Sequence, residues 1–273
     1  MPRIEKRAFR EITDLLKQLK TRKGQVVKSM ANLRLINTLS RQIDRAILNA
    51  GYRDATNQYL KSFNEVTKTQ NLYFRTVFES FKMPSDVSFL KEQAIQDTTN
   101  LMLNSGYEAA LTNPIKEILN TNISAQADFF DLNKTIKDFL TGTDETVGAL
   151  QKHSGTITTD AINTYSAQVN QSITEDLGLE WYRYVGSIVN DSRPFCVALV
   201  KKKWFHKDEI PGFLDGKVGK VRVKKNPRTG LPEGMRKGTT PENFQILRGG
   251  YRCNHQVIPV ATESVPKSVR DAR

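Results

Sequence analysis

Both cysteines of the chain, and one of its three histidines, fall in two short stretches near the C-terminal end: Asp191-Ser192-Arg193-Pro194-Phe195-Cys196 and Gly250-Tyr251-Arg252-Cys253-Asn254-His255. Thiolate sulfur and imidazole nitrogen are the ligands that structural zinc takes. Cys253 and His255 stand two apart, a spacing that sends both side chains to one face of an extended strand. Cys196, with either Asp191 or His206, completes a four-ligand set, although the spacing is not that of a zinc finger. The same residues admit other chemistries. Cys196 could be a nucleophile with His255 as base and Asn254 or Asp191 as the orienting group, yet nothing around Cys196 resembles the surroundings of a protease cysteine. A lone cysteine also serves as a small buried hydrophobe. A Cys196–Cys253 disulfide becomes the better reading only outside a reducing compartment. Asp191 and Arg193 also fit a local turn closed by a salt bridge.

The segment that must position these groups is rich in turns. Trp181-Tyr182-Arg183-Tyr184-Val185-Gly186 is aromatic and β-branched, Val218 to Val223 alternates apolar and basic, and Gln256-Val257-Ile258-Pro259-Val260 reads as a last strand. Glycines and prolines break the sequence between them. We therefore expect a small α+β domain over 179–273 with a basic insertion at 201–248. A domain so divided lacks a deep core and needs a staple.

Upstream, the pattern is helical. Ile4, Ala8, Ile12, Leu15, Leu16 and Leu19 recur at three and four residues, and after Gly24 the stripe resumes from Val26 to Ala50. It continues through Phe63, Phe74 and Phe81 and stops before Pro84. Ser85-Asp86, Asn113-Pro114 and Thr158-Thr159-Asp160 read as helix starts, Phe129 to Leu140 as a short helix, and Gly178 as a stop. The expected fold class is α+β: a mainly helical, elongated region over 1–178 followed by the small loop-rich domain. With 273 residues, 38% hydrophobic and 8% aromatic, the chain can bury a sizeable core while keeping much polar surface.

Charge is polarised. Residues 1–50 carry 12 basic and 4 acidic side chains, residues 51–185 carry 11 and 17, and residues 201–252 carry 14 and 5. The basic insertion, with Lys201, Lys202, Lys203, Lys217, Lys220, Arg222, Lys224, Lys225 and Arg228, suits nonspecific contact with DNA phosphates. No base-reading motif is visible, so such binding would sense charge and not base sequence. No apolar run is long enough to span a bilayer and no secretory leader is seen, so a cytoplasmic start is expected. Paired carboxylates and a Gly-rich phosphate loop are both missing, which lowers the case for hydrolysis or nucleotide use.

The order of features resembles the phage Mu protein F family of minor head proteins: a helical region, an aromatic strand with Trp181, Asp191-Ser-Arg193-Pro-Phe-Cys196, a Gly/Pro-rich insertion, then Gly-Gly-Tyr-Arg-Cys253-Asn-His255 and a short apolar strand. The matching residues span about 80 positions, and the helical region matches only in character. The common family form has a His where Cys196 stands and a Cys where His255 stands, so the exchange keeps the Cys/His inventory. The resemblance implies a structural protein of a tailed-phage head, in the host cytoplasm during assembly, with the portal or other head proteins as partners and nonspecific DNA contact. It implies a shared metal-type role, with zinc as the expected ion, for Cys196, Cys253, His255 and Asp191, and no enzymatic activity. Two readings of other classes stand beside it: a nuclease or toxin-type enzyme on a phage head protein, using Cys196 and His255, and a cellular basic nucleic-acid-binding module.

Overall fold

In the computed structural model, which describes residues 2–272, helices dominate and three small antiparallel sheets accompany them, an α+β fold with long helices in the N-terminal part. Two compact units divide the chain. One runs to Lys61 and resumes over Gln96–Thr158; the other takes Ser62–Ile95 and everything from Thr159 on. The expected domain boundary at 178/179 thus falls inside the second unit, which draws two helical stretches from upstream. No helix among the described residues is long and apolar enough to cross a membrane.

The first unit is built from the apolar stripes. Ala8, Ile12, Leu16, Leu39, Ile43, Ile47, Ile115, Leu119, Leu132 and Ile136 are buried in one cluster, each pair spaced three or four along its helix. Gly24 does not simply separate two helices. With Lys23 it takes positive φ in a hairpin between Thr21–Arg22 and Gln25–Val26. Buried Asn32 holds the hairpin, giving its amide to Lys20 and Val27 carbonyls at 2.9 and 2.7 Å and accepting the Lys20 N–H at 2.9 Å.

Two expected helix starts are interior positions instead. Asn113-Pro114 continues a helical run through a π turn at Glu108–Thr112 into Asn113–Ser124; the wider turn accommodates a residue that lacks an N–H. Thr158-Thr159-Asp160 lies inside the 28-residue helix Ala149–Asp176. There Thr158 Oγ1 bonds the Ser154 carbonyl at 2.9 Å, so the hydroxyl is satisfied within the helix instead of capping it.

His153 of this unit offers a pH test. Burial holds its imidazole below the ordinary 6.5, opposed by a backbone hydrogen bond with Leu101. When the pH falls below that value, the unfolded chain takes up a proton that the folded chain resists, so stability drops. Buried Glu5 and half-buried Asp44 have raised pKa values and act in the opposite sense, but around lower ordinary values of 4.5 and 3.8. Denaturant midpoints measured between about pH 7 and 5.5 should therefore fall with pH in the native chain and flatten in His153→Gln.

In the second unit a three-stranded antiparallel sheet places Trp181–Val185 between Trp204–His206 and Gln256–Val260. Tyr182 pairs with Phe205 and Tyr184 with Val257. Alternation sends Tyr182 and Tyr184 to one face, where they pack with Phe195, Leu199, Phe205, Phe213 and Phe244. Trp181 goes to the other face, against Val260 and Val265. A polar stripe fastens helices to this sheet. Gln70 of Ser62–Val77 donates to Asn170 Oδ1 at 2.8 Å, and Asn170 donates to the Val257 carbonyl at 3.0 Å.

Candidate metal centre

Pro194 opens the helix Pro194–Lys202, its fixed φ suiting the first turn and its missing N–H unneeded there. Cys196 sits on that turn, buried. The second stretch is a loop leading into the strand Gln256–Val260, and Arg193 clasps it. The two terminal nitrogens of its guanidinium donate to the carbonyls of Gly249 and Tyr251 at 3.0 and 2.6 Å. Buried Arg248 donates to the His255 carbonyl at 2.5 Å and to the Gln245 carbonyl. From the helix Ala149–Asp176, Asn163 donates to the Cys253 carbonyl at 2.9 Å, and the Asp160 carboxylate accepts the backbone N–H of Arg252. Arg252 is held at φ +56°, an uncommon backbone for a side-chain-bearing residue.

These restraints bring the scarce ligands together. Cys196 Sγ and Cys253 Sγ lie 3.8 Å apart, Cys253 Sγ and His255 Nδ1 lie 3.5 Å apart, and one ligand atom from each of the three residues falls within 4.8 Å of the others. The arrangement can bind a metal ion. Both cysteines are free thiols. Glycines make room for them: a Cβ on Gly249 would stand 2.2 Å from Cys253 Sγ, and one on Gly186 would stand 2.5 Å from the His255 ring. The His255 ring stacks on Tyr184, with centroids 5.5 Å apart and planes 17° apart.

The two sulfurs shift each other's titration in opposite directions. Cys253 is pushed down to about 4, first by the hydrogen bond from Cys196 and then by His255, against the opposing pull of burial. Cys196 moves up, because it keeps the proton it donates and is buried. Cys253 is therefore a ready thiolate, the form in which cysteine binds metal.

Asp191 stays outside the cluster. It is exposed on the loop before the helix and lines, with Val189, Arg193, Cys196, Tyr251 and His255 among others, an open cavity of about 800 Å³. His206 is engaged elsewhere: it is buried, edge-on to Trp181, with Glu180 and Asp208 oxygens each 3.4 Å from a ring nitrogen. Of the basic residues, Lys201, Lys203, Lys217, Lys220, Arg222, Lys224, Lys225 and Arg228 are exposed. Lys202 is half-buried in an ion pair with Glu209 at 2.7 Å, and Lys225 pairs with Asp215 at 3.1 Å. Arg222 donates to the Asp215 carbonyl at 3.3 Å.

Sequence reasoning missed Asp160, Asn163, Tyr184, Gly186 and Arg248. One signal was available for two of them: Asp160 and Asn163, with Asn170 and Thr174, form a polar stripe at helical spacing, on a helix that also carries Tyr165, Val169 and Ile173. Comparison of the chain with protein-family models, with curated proteins and with solved structures finds no match.

Proposed function

We propose that this chain is a structural minor head protein of a tailed phage, acting near the portal vertex, with a C-terminal module stapled by zinc and a basic surface that contacts packaged DNA through its phosphates. The observation that carries this reading is the convergence of Cys196, Cys253 and His255 from stretches 57 positions apart, held by Arg193 of the same motif. Spacing supports the metal. A tetrahedral zinc ion, with Zn–S near 2.3 Å and Zn–N near 2.05 Å, sets two sulfurs about 3.8 Å apart and sulfur and nitrogen about 3.6 Å apart. The observed separations are 3.8 and 3.5 Å, where a disulfide needs about 2.05 Å. Cys196, Cys253 and His255 would hold the ion, with the fourth position left to a ligand outside the cluster. Zinc there joins the helix Pro194–Lys202 to the loop that enters the last strand, in a unit whose core is broken by turns.

Mass spectrometry of purified particles from a host that expresses the chain tests the whole reading. The chain should be present at low copy number, and its absence from particles that contain portal protein would overturn the assignment.

The DNA contact rests on side chains in the open. Lys201, Lys217, Lys220, Lys224 and Arg228 are exposed and form no ion pair among the described residues. If about five phosphates are neutralised, log K should fall against log salt with a slope of about −4.5, with little dependence on base sequence. The triple reversal Lys217→Glu, Lys220→Glu, Lys224→Glu should weaken filter binding uniformly across sequences and flatten that slope. A salt-insensitive or sequence-selective complex would count against the contact.

A second reading, a nuclease-type enzyme, draws on one observation: the thiol cluster stands in the wall of the cavity of about 800 Å³. Three protein ligands and an open position is the catalytic form of a zinc site. Nuclease activity lost in a folded His255→Ala variant would favour it over the structural role.

A further inference from the structure

Beside the thiol cluster lies a second, much smaller cavity of about 10 Å³, whose walls include Asn163, Arg236, Arg248, Gly249, Cys253 and His255. That volume is at the threshold for a single water-sized occupant. Three nitrogens of its lining residues, Arg236 Nε, Arg248 Nε and His255 Nε2, are buried and have no hydrogen-bond partner. Arg248 is 4% exposed and His255 6%. Buried polar atoms almost always find a partner, so three unpartnered ones on one cavity point to a ligand that supplies it. No carboxylate belongs to the lining.

Charge selects the ligand. Arg236 is balanced by Asp160 at 3.3 Å. Arg248 has no ion pair among the described residues; its terminal nitrogens go to backbone carbonyls, the Tyr184 ring lies 6.0 Å from the guanidinium, and the Cys253 thiolate that it favours is the negative charge beside it. A guanidinium buried without a counter-charge is strongly unfavourable. A divalent metal ion on two thiolates neutralises them and leaves Arg248 uncompensated.

We infer that this cavity binds one small monovalent anion of halide size, held by hydrogen bonds from Arg236 Nε, Arg248 Nε and His255 Nε2. Both guanidinium nitrogens are donors in every protonation state the protein meets. The third donor rests on the metal reading: when Nδ1 ligates the ion, the ring proton sits on Nε2. Phosphate, sulfate and carboxylate groups exceed the space. The anion serves as outer support for the centre, fixing the imidazole that stacks on Tyr184 and balancing buried Arg248, which has no ion pair among the described residues.

Crystals of the full chain grown in chloride and soaked in bromide test this, with bromine and zinc anomalous signals recorded on the same crystal. The expected result is one bromine peak within hydrogen-bond reach of the three nitrogens. Ordered density there without a bromine signal means that water fills the cavity, and overturns the inference while leaving a zinc peak to stand. A bromine peak without zinc keeps the anion and removes the metal reading. In solution, replacing chloride by gluconate at constant ionic strength should lower the melting temperature by about 3 °C. The same exchange should have no effect in Arg236→Gln, which removes a donor but leaves Arg248 and the thiols in place; an equal drop in that variant would also overturn the inference.

Discussion

Stripping the metal from the purified protein, or replacing Cys253 with serine, should lower the melting temperature by about 10 °C or more, the largest effect that any single change outside the apolar cores is expected to have. The module that carries Cys253 has a core around Tyr182, Phe195, Phe205, Phe213 and Phe244, but the loop from Arg248 to His255 is tied to it mainly through polar contacts with Arg193, Arg248 and Asn163. Without a metal, a thiolate is left in a partly buried setting with Arg248 as its nearby cation, and loss of a bound metal is among the few mechanisms that exceed about 4 kcal/mol. Calorimetry with and without chelator checks the size. Hydrogen exchange should locate the loosened segment at 248–260, and re-addition of zinc should restore the native curve in the wild type but not in Cys253→Ser. Unchanged melting after complete removal of metal would show that the packing suffices alone.

A single methyl group should come close to that effect. In Gly249→Ala the new Cβ would stand 2.2 Å from Cys253 Sγ and 2.8 Å from its Cβ, so the sulfur must swing away from Cys196 or the loop must shift. Either movement breaks the spacing that suits a tetrahedral ion. We expect a loss of about 2 to 4 kcal/mol together with a fall in bound zinc to well under half. The built-in comparison is Gly155→Ala. Gly155 lies in the helix Ala149–Asp176, and a Cβ there meets nothing within 4 Å. That change should stabilise the chain by about 0.5 to 1 kcal/mol and leave zinc content as it was. Equal zinc in both variants would mean that Cys253 is not a ligand.

What could be read from the sequence, and what could not, divides along the range of the interaction. Strands that announce themselves by β-branched and aromatic content, Trp181–Val185 and Gln256–Val260, stand where their residues placed them. The apolar stripes through Ile12, Leu39 and Ile43 do fill a core. Local punctuation proved weaker. Pro114 and Thr158 carry start signals, yet helices run through both positions, with a π turn before the first and a hydroxyl-to-carbonyl bond at the second. Gly24 marks a hairpin and not a bare break, because the amide that closes it, Asn32, lies eight residues further on.

The candidate site shows the same division. Residue scarcity alone singled out Cys196, Cys253 and His255, and their proximity follows from the folding of one sheet and one helix around them. Asp191 shares their motif but not their cluster, since spacing along a loop does not fix where a carboxylate points. The partners that set the geometry, Asp160 and Asn163, lie about 90 residues from the loop they hold, beyond any periodicity. The reassignment of Ser62–Ile95 and the helix after Thr159 to the C-terminal unit has the same origin. Gln70 and Asn170 look like ordinary surface amides until the strand they serve is in place.

The measurement that bears most directly on the central claim is X-ray absorption at the zinc edge, made on protein purified without added metal or chelator. One zinc per chain, with two sulfur neighbours near 2.3 Å and nitrogen or oxygen neighbours near 2.0 to 2.1 Å, is the expected result. A chain without zinc, or a zinc coordinated by oxygen and nitrogen alone, would contradict the account.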